Sequence, residues 1–295
     1  MRRVFALLSA TLFISGAAPS PELRCAASRA DGEIFIPAGR TTIGDDSAYA
    51  EEHGRKEAYV PGFHIDRHEI TNRQFARFVA ATGYVTDAEK RGDSIVFQRP
   101  DHPVDLGNPD AWWKIVKDAD WRHPLGPHTS LARKQDFPVV QVSLADAMAY
   151  AQWAGRALPT ENQFERAARA GNPSNTHEQP ALDEANTWQG NFPDGDTGQD
   201  GHAGLAPAGC YKANGFGLRD MIGNAWEWTA SSFTADHRPG SPAIAEVGVI
   251  KGGSYLCTPY YCARYRPSAR QAQDIHGATS HISFRTISRK AGRSG

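Results

Sequence analysis

Residues 138–171 read PVVQVSLADAMAYAQWAGRALPTENQFERAARAG, and two helix starts inside this stretch set the frame for the rest. Ser143 with Asp146 and Thr160 with Gln163 are capping-box patterns, in which a hydroxyl accepts from the third helical N–H and the later side chain reaches back to the cap. The first predicts a helix carrying Ala147, Tyr150, Ala151 and Ala154 that stops at Gly155; the second predicts one running to Gly171. Upstream, Thr71 with Gln74 repeats the pattern, and Phe75, Phe78, Val79 and Thr82 share one face until Gly83. Strands are expected where Ile34 and Ile36 alternate with Glu33 and Phe35, and at 247–251, ahead of Gly252-Gly253-Ser254. Residues 84–137 hold Trp112, Trp113 and Trp121 among Pro-containing turns without sustained periodicity, and read as an irregular, well-packed excursion. Residues 172–214, rich in Asn, Asp, Gly and Pro, read as loop held by side-chain hydrogen bonds or metal.

No repeat, charge run or low-complexity linker divides the chain after Glu33, so one domain is expected over 33–288, followed by a tail at 289–295. The 32 Lys and Arg against 33 Asp and Glu leave no positive field for nucleic acid or an anionic membrane face. Seven Trp, nine Tyr and 28 Gly point to an aromatic-rich fold with many special turns rather than to a helical bundle or disorder.

Met1-Arg2-Arg3 and the apolar run that follows it fit a signal peptide at 1–18, ahead of a Pro-, Ala- and Ser-rich leader at 19–32. The apolar run is shorter than the roughly 20 residues that span a bilayer, so no stable membrane anchor is expected. Arg24 disfavours acylation at Cys25. The mature protein is therefore expected to be exported, periplasmic or extracellular, where thiols are normally oxidised.

That compartment makes the four cysteines informative: Cys25, Cys210, Cys257 and Cys262. The last two lie five positions apart, and three readings of the pair stand side by side: a structural disulfide, a zinc site, and a soft-metal site in which two thiolates hold Cu(I). A zinc site lacks a companion Cys or His pair. Around them, Gly252 and Gly253 would let a substrate backbone come close. Tyr255, Tyr260, Tyr261 and Tyr265 beside Arg264, Arg266 and Arg270 suggest a peptide groove, although single residues of these types are more often core or solvated. A second cluster, Asp194, Asp196, Asp200, Asp220 and Glu227 among glycines, suits calcium or metal-free Asx turns about equally. His64 and His68 lack the Glu and helix of a zinc protease, Gly215-Phe216-Gly217 lacks a dinucleotide site's third glycine, and Gly252-Gly253-Ser254 is not a nucleophile elbow.

Residues 138–171, 186–228 and 250–285 together resemble the formylglycine-generating enzyme (sulfatase-modifying factor) family. Pro138-Val139-Val140-Gln141-Val142-Ser143, 153–161 and Gly223-Asn224-Ala225-Trp226-Glu227-Trp228 resemble its superfamily at large; Gly252 to Cys257 and Cys262 to Arg266 resemble the thiol loop of its cysteine-oxidising branch. The resemblance implies an α+β, C-type-lectin-like fold in one compact domain with little regular secondary structure. It implies an oxidoreductase that uses O2 to convert the cysteine of a Cys-x-Pro-x-Arg motif, in an unfolded or nascent sulfatase, to formylglycine. Cys257 and Cys262 would be the Cu(I) ligands, Ser254 and Trp226 would lie at the oxygen pocket, and Tyr261 and Arg264 would line the substrate groove.

Two structural calcium sites carry over in the same way. Asn186 and Asp200 side chains with Thr187 and His202 carbonyls would form one; Asp220 and Glu227 with the Gly223 and Ala225 carbonyls would form the other. Asp194 and Asp196 would serve turns. Ala151, Ala168, Pro267 and Thr286 stand where the animal enzymes have disulfide cysteines, so packing and calcium would replace those bridges. Leu144 and Phe164 stand where Trp is usual, and Ser283-Phe284-Arg285 replaces Gly-Phe-Arg. Cys25 and Cys210 could pair in an oxidising compartment, but Cys25 lies in a leader segment, and the sequence leaves this pairing open. The competing readings are an iron-type C–S bond-forming oxidase of the same superfamily, whose extra helical domain has no room here, an exported copper carrier, and a non-catalytic lectin-like module with a permanent Cys257–Cys262 disulfide.

Overall fold

A computed structural model describes Cys25 and residues 32–172 and 178–288. The expected signal peptide (1–18), most of the leader and the tail at 289–295 lie outside the described residues.

The chain opens with β1 (Glu33–Ile36), β2 (Gly39–Ile43), β3 (Lys56–Val60) and β4 (Phe63–Asp66). β1 runs antiparallel to β4 with Ile34 opposite Ile65, and β2 pairs with β3. Helix α1 (Asn72–Thr82) has the Thr71–Gln74 capping box and ends on Gly83 in the left-handed region, as the sequence predicts.

The stretch expected to be irregular is more regular than its hydropathy shows. It contains α2 (Asp87–Arg91), capped by Thr86 and Glu89, and the antiparallel pair β5 (Asp93–Phe97) and β6 (Trp113–Lys117). The reason lies in a partly inverted alternation. On β5 one of the two buried residues is polar, Ser94 beside Val96, with Ser94 bonded to Gln141 Oε1 at 2.6 Å, while on β6 Ile115 faces outward at 76% exposure. A pattern search keyed to apolar-in, polar-out alternation passes over such a strand.

Helices α3 (Leu144–Trp153) and α4 (Glu161–Arg169) follow with both predicted capping boxes formed, ending within two residues of the expected glycines. Among the described residues, the loop beyond them holds only the two-residue pair β7 (Gly190–Asn191) and β8 (Gly195–Asp196). Asp196 Oδ1 there accepts from the Gly198 N–H at 3.0 Å, the turn role expected of it. The remaining strands are β9 (Trp226–Thr234), β10 (Ala243–Lys251), β11 (Arg270–Asp274), β12 (Ile282–Ser283) and β13 (Ile287–Ser288). Four of them make a sheet in the order β11-β10-β9-β12, and β13 returns to β4, closing the domain on its own first strands.

The main core gathers Phe75, Trp121, Tyr150, Trp226, Trp228, Ile250 and Phe284 between the helices and the four-stranded sheet. Each such large apolar side chain contributes roughly 1.5–3 kcal/mol on burial. Cys257, Cys262 and Tyr265 belong to this same cluster, so the thiol pair is built on the core rather than on a surface loop. The α+β architecture with short elements agrees with the expected fold class.

Cys25 is joined to Cys210 in a disulfide, with Cα atoms 4.4 Å apart, a pairing that the place of Cys25 in the leader left open. At one of the missing-bridge positions a hydrogen bond joins an ion-pair network: Thr286 Oγ1 donates to Asp66 Oδ2 at 2.6 Å, Arg156 Nη2 donates to Asp66 Oδ1 at 2.9 Å, and Arg156 Nη1 pairs with Glu33. Ala168 and Pro267 line one cavity of about 410 Å³.

Candidate functional site

β10 delivers the chain into the thiol loop through Gly252 and Gly253, both at positive φ. A Cβ on Gly253 would come 2.6 Å from the Arg264 carbonyl oxygen, so the glycine lets the loop's two arms touch. These glycines therefore serve the loop's own folding. Beyond them the loop is pinned at each step. The Cys257 N–H donates to the Ser254 carbonyl at 2.9 Å, the Cys262 N–H to that of Thr258 at 3.1 Å, and the Trp188 N–H to that of Cys257 at 3.0 Å.

Cys257 and Cys262 are both free and buried, with Sγ atoms 2.6 Å apart. Burial pushes the Cys257 thiol up, whereas the hydrogen bond from Cys257, followed by the charge of Arg264, draws Cys262 down. The pair thus favours one thiol donating to one thiolate. Two adjacent sulfur donors of this kind fit a soft, low-coordinate ion such as Cu(I).

Cys262 lines a small cavity of about 70 Å³ with Ser254, Trp226, Tyr261 and His281, closed by Trp113, Phe192, Leu256 and Gln271. Four sequence-predicted site residues meet there, and Cys257 stands directly behind Cys262. Tyr261 is stacked on Phe192 at 4.3 Å between centroids. Arg264 lies on the loop's far arm, donating to Glu51 Oε1.

The rest of the expected groove does not assemble. Tyr255 and Tyr265 are core residues, and Arg266 and Arg270 are buried in ion pairs with Glu52 and Glu161. Only Tyr260, Tyr261 and Arg264 keep a share of the surface, with Tyr260 87% exposed. The larger set was misread because aromatics and arginines near a site look alike whether they serve the core or a ligand.

The residues of the first candidate calcium site lie together. The Thr187 and His202 N–H groups donate to the Asp200 carboxylate at 3.0 and 3.2 Å, and burial pushes Asp200 up to about 6. Asn186 Oδ1 is buried with no hydrogen-bond partner among the described residues, a hard donor that would suit calcium. At the second, Gly223 adopts φ 75°, where a Cβ would strike the Asn186 carbonyl oxygen at 2.4 Å. Asp220 Oδ1 is likewise buried without a donor, but both Glu227 oxygens accept from Arg285, at 2.6 and 2.7 Å.

Sequence reading passed over His281, Gln271, Trp113 and Phe192 at the cavity and Tyr49 and Glu51 behind Arg264. His281 Nδ1 is 2.7 Å from Thr279 Oγ1, its ring lies 4.7 Å from that of Trp113, and burial pushes it down to about 3. No local spacing announces these residues, since each reaches the site from a distant segment. A histidine immediately before the short strand β12 was the one available signal.

Residues 19–290 match the family described as sulfatase-modifying factor enzyme 1-like domain. Over 288 residues the chain is 43% identical to a formylglycine-generating enzyme of Mycobacterium tuberculosis, covering 86% of this chain and 96% of the relative. It is also 35% identical over 294 residues to an inactive C-alpha-formylglycine-generating enzyme 2 of Mus musculus, covering 92% and 90%. Among solved structures, PvdO from Pseudomonas aeruginosa superposes with a TM-score of 0.64 at 21% identity, covering 86% of this chain and 93% of that one, which speaks for the fold alone. With a family match across most of its length and a thiol loop folded onto its core, the chain belongs to the sulfatase-modifying factor enzyme 1-like family, the family of the formylglycine-generating enzymes.

Proposed function

We propose that this protein oxidises the cysteine of a Cys-x-Pro-x-Arg segment in a sulfatase polypeptide to formylglycine, using O2 and a Cu(I) ion held by Cys257 and Cys262. The observation that carries the proposal is the free, buried thiol pair, 2.6 Å apart, at the wall of a cavity of about 70 Å³. Family membership alone does not carry it, because relatives named as active and as inactive both match most of the chain.

Bound copper would supply the one-electron chemistry toward O2 that side chains lack. The chain's own residues prepare the place. The Arg264 guanidinium favours the anionic form of Cys262 and thus its use as a ligand. Trp226, Trp113 and Phe192 keep the cavity apolar, while Ser254 and His281 offer it polar atoms. Tyr261 and the exposed Tyr260 flank the approach to Cys262 and would pack against an extended peptide. Conversion of the substrate's CH2–SH to an aldehyde and sulfide releases two electrons; reducing O2 to water takes two more, which an added dithiol supplies. Calcium at the Asn186–Asp200 site would order the loop that carries Trp188 toward the thiols, and export follows the reading of residues 1–18 as a signal peptide.

The test is direct. Copper-loaded protein, a Cys-x-Pro-x-Arg peptide, air and a dithiol should yield an aldehyde-bearing peptide by mass spectrometry. Unchanged peptide under those conditions would refute the activity.

A further inference from the structure

The loop 198–211 carries the imidazole of His202 and the sulfur of Cys210, and the leader brings Cys25 up to them. Several hydrogen bonds hold this loop in place. The His202 N–H donates to Asp200 Oδ1 at 3.2 Å, the Tyr211 hydroxyl to the Asp200 carbonyl oxygen at 3.3 Å, and the Ala208 N–H to the Asp136 carbonyl oxygen at 2.8 Å. The Tyr211 ring meets the His202 ring edge-on, with centroids 6.3 Å apart. His202 and Cys210 are thus positioned by the fold itself, and Cys25, which lies 185 positions from Cys210 in sequence, closes on them from the leader. A ring nitrogen of His202 and the two sulfurs all lie within 4.8 Å of one another.

Two sulfurs and an imidazole nitrogen are a donor set for zinc, whose tetrahedral sites have bonds of about 2.0–2.3 Å and therefore ligand atoms under about 4 Å apart. In the disulfide the sulfurs are spent on each other. The proposed peptide oxidation draws electrons from a dithiol, and the same reductant opens this bridge by exchange: its two sulfurs leave joined to each other, and its two protons pass to Cys25 and Cys210. Zinc displaces both protons on binding, because it takes the thiolates. A cavity of about 270 Å³, lined by Cys25, Asp183, Asp200, His202, Cys210 and Tyr211, gives an ion a way in past two carboxylates and leaves room for a water as fourth ligand.

We propose that Cys25, His202 and Cys210 form a zinc site in the dithiol state of the protein, so that the leader is tied to the 198–211 loop by a disulfide under oxidising conditions and by zinc in the presence of a dithiol. Neither thiol belongs to the Cys257–Cys262 pair. His202 acts here through its imidazole, whereas the family resemblance assigns only its carbonyl, and that to calcium. The site stands apart from copper and from the peptide oxidation.

Site-resolved alkylation tests it. The unaltered protein is reduced, freed of reductant without air, and treated with iodoacetamide in calcium-containing buffer with and without zinc, each cysteine being read separately by peptide mass spectrometry. Zinc should protect Cys25 and Cys210 together, and His202→Ala should lose that protection. As a second measurement, cobalt added to reduced Cys257→Ala/Cys262→Ala protein should give the visible bands of a tetrahedral ion with thiolate ligands, which the same protein should lack before reduction. Alkylation of Cys25 and Cys210 at the same rate with and without zinc would overturn the proposal. So would undiminished protection in His202→Ala, or cobalt bands of equal strength before and after reduction. Because Cys25 and Cys210 are read apart from Cys257 and Cys262, a protein that passes this test but leaves the peptide unchanged sinks the copper reading alone.

Discussion

Arg264 and Glu51 form an ion pair across 213 residues of chain, with Arg264 Nη2 donating to Glu51 Oε1 at 2.6 Å and Nε to the same oxygen at 3.2 Å. The Tyr49 ring lies 4.0 Å beneath the guanidinium, and Glu52 pairs with Arg266 two residues further along. The turn Ala50–Glu52 thus clamps the exit arm of the thiol loop and aims Arg264 at Cys262.

Releasing this clamp should show in substrate binding. The pair is about a fifth exposed on each side, so its loss should cost about 1 kcal/mol. Glu51→Gln should raise KM for a Cys-x-Pro-x-Arg peptide about fivefold with a smaller change in kcat. An unchanged KM would mean that Arg264 needs no such support.

The Arg285–Glu227 pair should matter far more to stability. Both side chains are essentially fully buried, and removing one partner leaves the other uncompensated. Arg285→Gln should lower unfolding free energy by about 3–5 kcal/mol in urea titrations. A loss under about 1 kcal/mol would show that the carboxylates are balanced in another way.

His281 supplies a pH test with a defined sign. Burial lowers it from 6.5 to about 3, so between those values the unfolded chain binds a proton that the folded chain refuses. Its contribution to stability is present above pH 6.5 and is lost as pH falls, at up to about 1.4 kcal/mol per pH unit. Other groups titrate in the same range, among them buried carboxylates raised in the opposite sense, so the difference between proteins is the readout. His281→Gln should flatten the stability–pH curve between pH 6.5 and 4.5 relative to the parent. Parallel curves would contradict a neutral, buried His281.

The capping boxes at Thr71, Ser143 and Thr160 were legible because a helix start is written within four residues. The β5–β6 pair was not, because Ser94 faces in and Ile115 faces out. At the site, Cys257 and Cys262 stood out by proximity in sequence, and Ser254, Trp226 and Tyr261 came by family resemblance. Their convergence on one cavity required the sheet, since Trp226 opens β9 and the loop follows β10. Glu51 and His281 were illegible for the same physical reason: each acquires its meaning only from a partner that tertiary folding brings up, Arg264 and the Cys262 cavity respectively.

The central claim is that Cys257 and Cys262 form a working metal-binding dithiol and not a structural cross-link. Anaerobic titration of the reduced protein with Cu(I) against a chromophoric chelator tests it most directly. The account predicts one tightly held equivalent in the parent protein and its loss in both Cys257→Ala and Cys262→Ala. Copper uptake by either variant equal to the parent's, or none by the reduced parent itself, would contradict it.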